Sequence, residues 1–211
     1  DVRMIDLYAA PTPDGWKVTI ALEELRIPYA VHPVQACAGD GLEPGFARVS
    51  ACGCSPMLVD RNADDCHVSG AGPILVYLAE RSGRLMPRDT IGRSRVMQWL
   101  MLPVDGADAA RSGDARAARA ELLRLCGLLD SQLGDTEFLA GEFGIADISH
   151  WCWLRMHAWS DLDMQRYPAL ARWLQRVSLR EGTRQGLSAL PVPVLERPVE
   201  HVWKVKSILL R

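Results

Sequence analysis

"MIDLYAAPTPDGWKVTIALEEL", residues 4–25, holds the change of period on which the fold turns. Met4–Tyr8 is a short apolar-rich run suited to a strand, and "APTPDG" breaks it. "WKVTIALEEL" then spaces Trp16, Ile20, Leu22 and Leu25 in a helical pattern. Asp14 is the expected N-cap of that helix, its anion matched to the positive helix end. A strand, a turn and a helix in this order open a βαβ unit, and the next segment supplies its second strand. "PYAVHPV" (28–34) is rich in β-branched residues and carries a proline that suggests a sheet edge.

Further along, a Gly/Asp/Pro-rich stretch (39–45) precedes Pro56 and the strand "MLVD". "RNADD" is a turn, and "CHVS" a fourth strand. "GPILVYLAERSG" (72–83) reads as a helix with Pro73 in its first turn and Gly83 as its stop. Beyond a composition shift near residues 86–90 the pattern is helical. Residues 90–113 read as one helix bent or interrupted by Pro103 and Gly106. Residues 114–134 are amphipathic, with Leu122, Leu125, Leu129 and Leu133 as the apolar stripe. "GIADISHWCWLRMHAW" (144–159) is apolar nearly all round, the mark of a buried helix in which His150 and His157 pack as core. "YPALARWLQRVSLREG" (167–182) reads as a capped surface helix, and a proline-punctuated tail follows from Leu190.

The totals limit what such a chain does. Its 211 residues suffice for one large domain or two small ones. Hydrophobic residues at 48% and charged residues at 24% are ordinary for a globular protein. A formal net charge of −2 offers no field to recruit nucleic acid or an anionic membrane. No apolar run approaches the roughly 20 residues of a membrane span. The opening residues lack a basic region followed by an apolar stretch, which points to the cytosol. Six irregularly spaced cysteines do not resemble a disulfide framework, so reduced thiols are expected.

A βαβ–ββα segment followed by helices resembles a glutathione transferase, and particular motifs carry the likeness. Residues 4–25 look like the opening of the bacterial nu-class and fungal prion-like members. "SPMLVD" stands where the family opens a strand with a proline, usually cis. "ILVYLAERSGRLMP", "GRSRVMQWLM", "FLAGEFGIADI" and "YPALARWLQRV" resemble successive helical motifs, and Asp147 completes the capping box of the third of these. The resemblance implies an α/β plus all-α chain. Residues 1–86 would form a thioredoxin-like glutathione-site domain, and residues 90–211 a helical domain with a hydrophobic substrate pocket. It also implies a homodimer.

In that family the thioredoxin-like domain holds glutathione and lowers its thiol pKa, because the thiolate is the nucleophile. By resemblance Thr12 faces the thiol. The nu-class pattern has Asn two residues later, where this chain has Asp14. A carboxylate about 4 Å from a thiolate costs on the order of 4 kcal/mol at an effective dielectric near 20. The lysine that normally precedes the proline by two residues is Cys54, and the intervening Ile or Val is Ser55, whose backbone remains able to bond a peptide. The Glu-Ser pair that grips the γ-glutamyl carboxylate falls on Gly70 and Ala71, or on Val68 and Ser69 in a shifted register. The Gln of an earlier loop is Leu42. Cys54, Ser55, Pro56, Ser69, Gly70 and Ala71 are thus the glutathione-site candidates, several with altered side chains.

Cys52 and Cys54 invite other readings. With Cys66 and His67 they offer thiolate and imidazole ligands, but C-x-C and C-H are not standard zinc spacings, and no metal is expected. As a redox pair they would close a strained ring. A reactive Cys54 in the old lysine position and simple tolerated small residues are the remaining alternatives. In the helical domain, Asp105 and Asp108 follow the helix break as candidate acid/base groups. Trp16, Met101 and Arg111 are candidate substrate contacts.

Three functions are compatible with these residues. One is an enzyme of the superfamily acting on a small apolar metabolite, diverged from conjugation and independent of glutathione, with Thr12, Asp14, Asp105 and Asp108 as its polar groups. Another is a working glutathione transferase or thiol–disulfide oxidoreductase. The last is a binding protein that retains only the fold.

Overall fold

A computed structural model describes residues 5–34, 55–103, 115–155 and 162–191. The described residues fall into two compact units. One runs up to Arg93 and takes in the segment from Ser178 onward; the other runs from Ser94 to Val177.

The first unit is built on a four-stranded mixed sheet. Its strands are β1 (Ile5–Ala9), β2 (Tyr29–Pro33), β3 (Met57–Asp60) and β4 (Cys66–Ser69), in the order β2-β1-β3-β4. β1 pairs parallel to β2 and antiparallel to β3, and β3 pairs antiparallel to β4. β2 is an edge strand, which explains how Pro33 is accommodated. Between β1 and β2 runs α1 (Pro13–Leu25), and after β4 comes α2 (Ala71–Ser82). Ile5, Leu7, Ala9 and Leu58 alternate onto one face and are fully buried. On the opposite face Tyr8 and Val34 pack against Met57 and Val59, and Asp6 is held by His32 and Arg61.

Local chemistry sets the limits of these elements. α1 ends at Arg26 in the left-handed region, and α2 ends at Gly83, also left-handed, as the sequence predicts. Asp60, fully buried at the end of β3, accepts from Asn62 N and the Tyr77 hydroxyl and pairs with Arg81, tying the sheet to α2.

The start of α1 differs from expectation. Thr12, not Asp14, is the N-cap: its backbone is extended and its Oγ1 accepts from Gly15 N at 3.3 Å. Pro13 supplies a preset φ at the first helical position, so the helix begins before Asp14 is reached. Asp14 instead lies inside the first turn and pairs with Lys17.

Helices make up the rest. α3 spans Thr90–Leu100 and stops ahead of Pro103; Gly106 lies outside the described residues. The second unit is formed by most of α3 with α4 (Ala115–Asp135), α5 (Ile145–Leu154) and α6 (Pro168–Ser178). Leu125, Leu129 and Leu133 of α4 are buried as the stripe predicts, while Leu122 is partly exposed. α5 is buried along nearly its whole length, including His150, whose Nδ1 lies 3.0 Å from Ala146 O. His157 is outside the described residues.

The segment read as one helix from Tyr167 to Gly182 is two. α6 closes at Ser178, and α7 (Glu181–Ala189) starts after Arg180, whose backbone is extended. Arg180 grips Glu24 with two hydrogen bonds of 2.8 and 2.7 Å, which redirects the chain onto α1. There Gly186 approaches so closely that a Cβ would lie 2.6 Å from Ile20 Cα. Thr19 Oγ1 donates to Gly186 O, and Trp16 Nε1 donates to Leu190 O.

Candidate functional site

The thiol-loop candidates converge at the C-terminal ends of β1 and β4 and the start of β3. The Ser55–Pro56 peptide is cis. Ser55 Oγ accepts from Ala10 N at 3.2 Å, joining the strand-opening proline to the loop after β1. Ala10 O accepts from Thr12 N at 2.8 Å, and Gly15 allows this carbonyl to lie against α1, since a Cβ there would run into Ala10 O. Pro56 O accepts from Gly70 N at 2.9 Å, and Met57 is paired with Ser69. Thr12, Ser55, Pro56, Ser69, Gly70 and Ala71 therefore belong to one connected backbone assembly.

Within it, two helices begin. At α1 the Thr12 hydroxyl accepts from Gly15 N and keeps its own proton to donate. Beside it the positive end of the α1 dipole favours negative charge. At α2 the cap is Gly70, at φ 89°, with no side-chain hydrogen bond and no acidic residue in the first turn. Gly70 thus supplies backbone geometry open to glycine but no chemical grip.

Asp14 is about half exposed and its Oδ1 lies 2.7 Å from Lys17 Nζ, while Lys17 itself is almost buried. Trp16 is buried between α1 and the end of α7 through its bond to Leu190. Met101 lies just past α3, in the other unit, and is strongly exposed. Cys52, Cys54, Asp105, Asp108 and Arg111 fall outside the described residues. Among the described residues no cluster of three or more His, Cys, Asp or Glu is arranged to hold a metal. No helix among them is long and apolar enough to cross a membrane.

The helical unit contains a residue that fixes its own interior. Asp147, in the first turn of α5, accepts from Gly144 N and Leu139 N at 3.0 Å each and from Trp173 Nε1 at 2.9 Å. Burial pushes its pKa up to about 6, against the pull of these donors. Gly144 has no side chain to return the bond, so the capping box is one-sided, with Asp147 doing the work of both partners. The same unit holds a hollow of about 520 Å³ lined by Trp99, Leu102, Leu128, Leu139 and Gln132. A larger groove of about 980 Å³ lies in the first unit, at the end of α1 remote from Thr12, among Glu23, Glu24, Arg84 and Arg180.

Sequence reasoning missed Lys17 as a partner of Asp14 and Ser55 as a side-chain anchor. The signal for the first was present as an i,i+3 acid–base spacing. The second depends on a contact across 45 residues that no local pattern reveals.

A thioredoxin-like sheet and a helical unit joined in this order define the class of transferases built from those two parts. Two domain families cover most of the chain: "Glutathione S-transferase, N-terminal domain" matches residues 13–81, and "Glutathione S-transferase, C-terminal domain" matches residues 93–181. The chain belongs to the glutathione S-transferase family. It is 32% identical over 203 residues to the disulfide-bond oxidoreductase YfcG of Escherichia coli K12, covering 87% of this chain and 94% of that one. Its fold matches a glutathione transferase family member from Pseudomonas fluorescens Pf-5 crystallised with two glutathione molecules. That match has a TM-score of 0.78 and 31% identity, over 90% of this chain and 94% of that one. A glutathione transferase from Pseudomonas putida with one glutathione disulfide bound per subunit matches at a TM-score of 0.78 and 31% identity, over 88% and 91% of the two chains.

Proposed function

We propose that this protein binds glutathione at the Thr12–Pro56 assembly and acts as a glutathione-dependent thiol–disulfide oxidoreductase or transferase. The observation that carries this reading is the Thr12 cap: a hydroxyl with its proton to give, held at the positive end of α1. The residues present suit the sulfur end of the tripeptide. They suit its γ-glutamyl end less, because α2 starts without an acid or a side-chain cap.

Bound glutathione would supply the nucleophilic thiol. Thr12 would donate its hydroxyl proton to the sulfur, and the first turn of α1 would favour the anion. Ser55 points its side chain at Ala10, so its main chain is the part available to pair with a peptide. Gly70 and Ala71 would offer backbone N–H groups to a carboxylate. Relatives named as disulfide-bond oxidoreductases, at 32 and 30% identity, support thiol–disulfide exchange as the reaction. Calorimetry with glutathione tests this. Binding between micromolar and low-millimolar, with a raised Tm, is expected; no heat and an unshifted Tm would refute it.

A second reading rests on the bare start of α2. Loss of its acidic and hydroxyl grips favours an enzyme diverged from conjugation that takes a small apolar metabolite and isomerises, cyclises or eliminates it. The helical-unit hollow sets Trp99, Leu102 and Leu128 beside Arg95, Gln98 and Gln132, which suits a ligand with an apolar body and a polar group. Turnover of such a metabolite with no glutathione present would favour this reading. In either case we take residues 1–86 and 90–211 as the functional domains of a cytoplasmic homodimer. Light scattering that gives a monomer mass would remove the last element.

A further inference from the structure

We infer that Lys17 is the charge-balancing residue of the thiol loop, shielding a thiolate at Thr12 from the Asp14 carboxylate. The inference rests on glutathione binding as proposed above, and adds a residue and an electrostatic device to it. Asp14 stands two residues after the cap, in the first turn at the positive end of α1. Its charge and a thiolate would compete for the same helix end. Left alone, a carboxylate there would raise the pKa of the thiol.

Lys17 answers that charge directly. Its Nζ lies 2.7 Å from Asp14 Oδ1, and the residue is only 9% exposed. A buried ammonium is little screened, so its field at the loop persists at physiological salt. A short Asp–Lys pair presents a dipole in place of a full negative charge, and the field of a dipole falls off faster with distance.

Other charges on α1 and the elements packed on it are engaged elsewhere. On α1, Glu23 accepts from Tyr29 and Glu24 from Arg180, both at the far end of the helix. On α2, Glu80 pairs with Arg93 and Arg81 with Asp60. Arg84 donates to the carbonyls of Glu24 and Leu25. On α7, Glu181 accepts from Gln185, and Arg184 is exposed. On β1, Asp6 pairs with His32 and Arg61. Within the described part of this unit, Asp14 and Lys17 are thus the charges nearest in sequence to the Thr12 hydroxyl.

The test compares wild type with Lys17→Met, Asp14→Asn and the double variant. The readouts are the ultraviolet absorbance of bound glutathione thiolate against pH, and the pH–rate profile for glutathione-dependent reduction of hydroxyethyl disulfide. Lys17→Met should raise the bound thiol pKa by about one unit, with about a tenfold lower rate below that pKa. Asp14→Asn, at a half-exposed position that tolerates change, should lower it. The double variant should return close to wild type, because both charges have gone. A Lys17→Met profile that does not move while glutathione still binds overturns the inference. So does an Asp14→Asn profile identical to wild type, or a double variant that keeps the full Lys17→Met shift. If wild type binds no glutathione, the underlying reading falls and this inference with it.

Discussion

The two helices that begin at the cis-proline strand start in opposite ways. α1 has a hydroxyl cap, a proline at its first position and an acid in its first turn. α2 has a glycine cap, no side-chain bond and no acid. Both starts are tied to the same segment, α1 through Ala10 and Ser55 and α2 through Gly70 and Pro56. The segment they lean on is shared, but the caps differ in backbone as well as side chain, Thr12 being extended and Gly70 at φ 89°. The end that would meet a sulfur keeps its chemistry, while the end that would meet a carboxylate keeps only main-chain donors. A third helix start, at α5, shows what a fully committed acid does: Asp147 takes three N–H donors at once.

The largest expected effect removes that third case. Asp147→Ala leaves three buried donors without their acceptor and should destabilise the helical unit by about 3 kcal/mol or more. Chemical denaturation followed by circular dichroism would measure it. A loss below about 1 kcal/mol would mean that water replaces the carboxylate. Next is the α1 start. Thr12→Val should lower glutathione-dependent turnover about 100-fold, as expected for removing a donor to a developing anion, with Thr12→Ser restoring most of it. The cap itself is worth about 1 kcal/mol, so Tm should fall slightly in Thr12→Val. Full activity in that variant would place the thiol elsewhere.

A pH experiment sharpens the contrast between a buried acid and a bare start. Asp147 binds its proton more tightly folded, with a pKa of about 6 against an ordinary 3.8. Between those values the folded state carries more protons than the unfolded state. Wild type should therefore lose stability relative to Asp147→Asn as pH rises from about 4 to about 6, and run parallel to it outside that window. A difference independent of pH would show that hydrogen bonding outweighs burial. The smallest effect repairs the α2 start. Ala71→Ser adds a hydroxyl at the first helical residue and should tighten glutathione binding about threefold, measured by calorimetry. No change would indicate that the γ-glutamyl carboxylate does not reach this end.

Much of the first unit is legible in the sequence because its signals are local. The short runs "MLVD" and "CHVS" set off by the turn "RNADD", the Pro33 edge and the Gly83 stop all act within a few residues of themselves. The capping role of Asp147 comes instead from the likeness of "FLAGEFGIADI" to a family motif, and the structure places the acid in the first turn of α5. The cap of α1 is ambiguous in the sequence because Thr12 and Asp14 are both good caps, and Pro13 decides in favour of Thr12. α7 is hidden in the sequence for a different reason. "EGTRQGLSA" has Leu187 as its one large apolar residue, and its helix is held by close approach at Gly182 and Gly186 rather than by an apolar stripe. Such packing depends on Ile20 and Glu24, more than 150 residues earlier. The i,i+3 spacing signals the Asp14–Lys17 pair, but the burial of Lys17 comes from packing around α1 that no local pattern carries.

The embrace of α1 by α7 has a consequence for biosynthesis. Ribosomes deliver a chain from its N-terminus at about 5–20 residues per second. The sheet strands leave the tunnel early, but the layer covering Trp16, Thr19 and Ile20 is encoded at residues 181–190. While residues 26–180 are being made, then, the α7-facing side of α1 stays uncovered, and it closes only when the segment that carries Gly186 and Leu190 arrives.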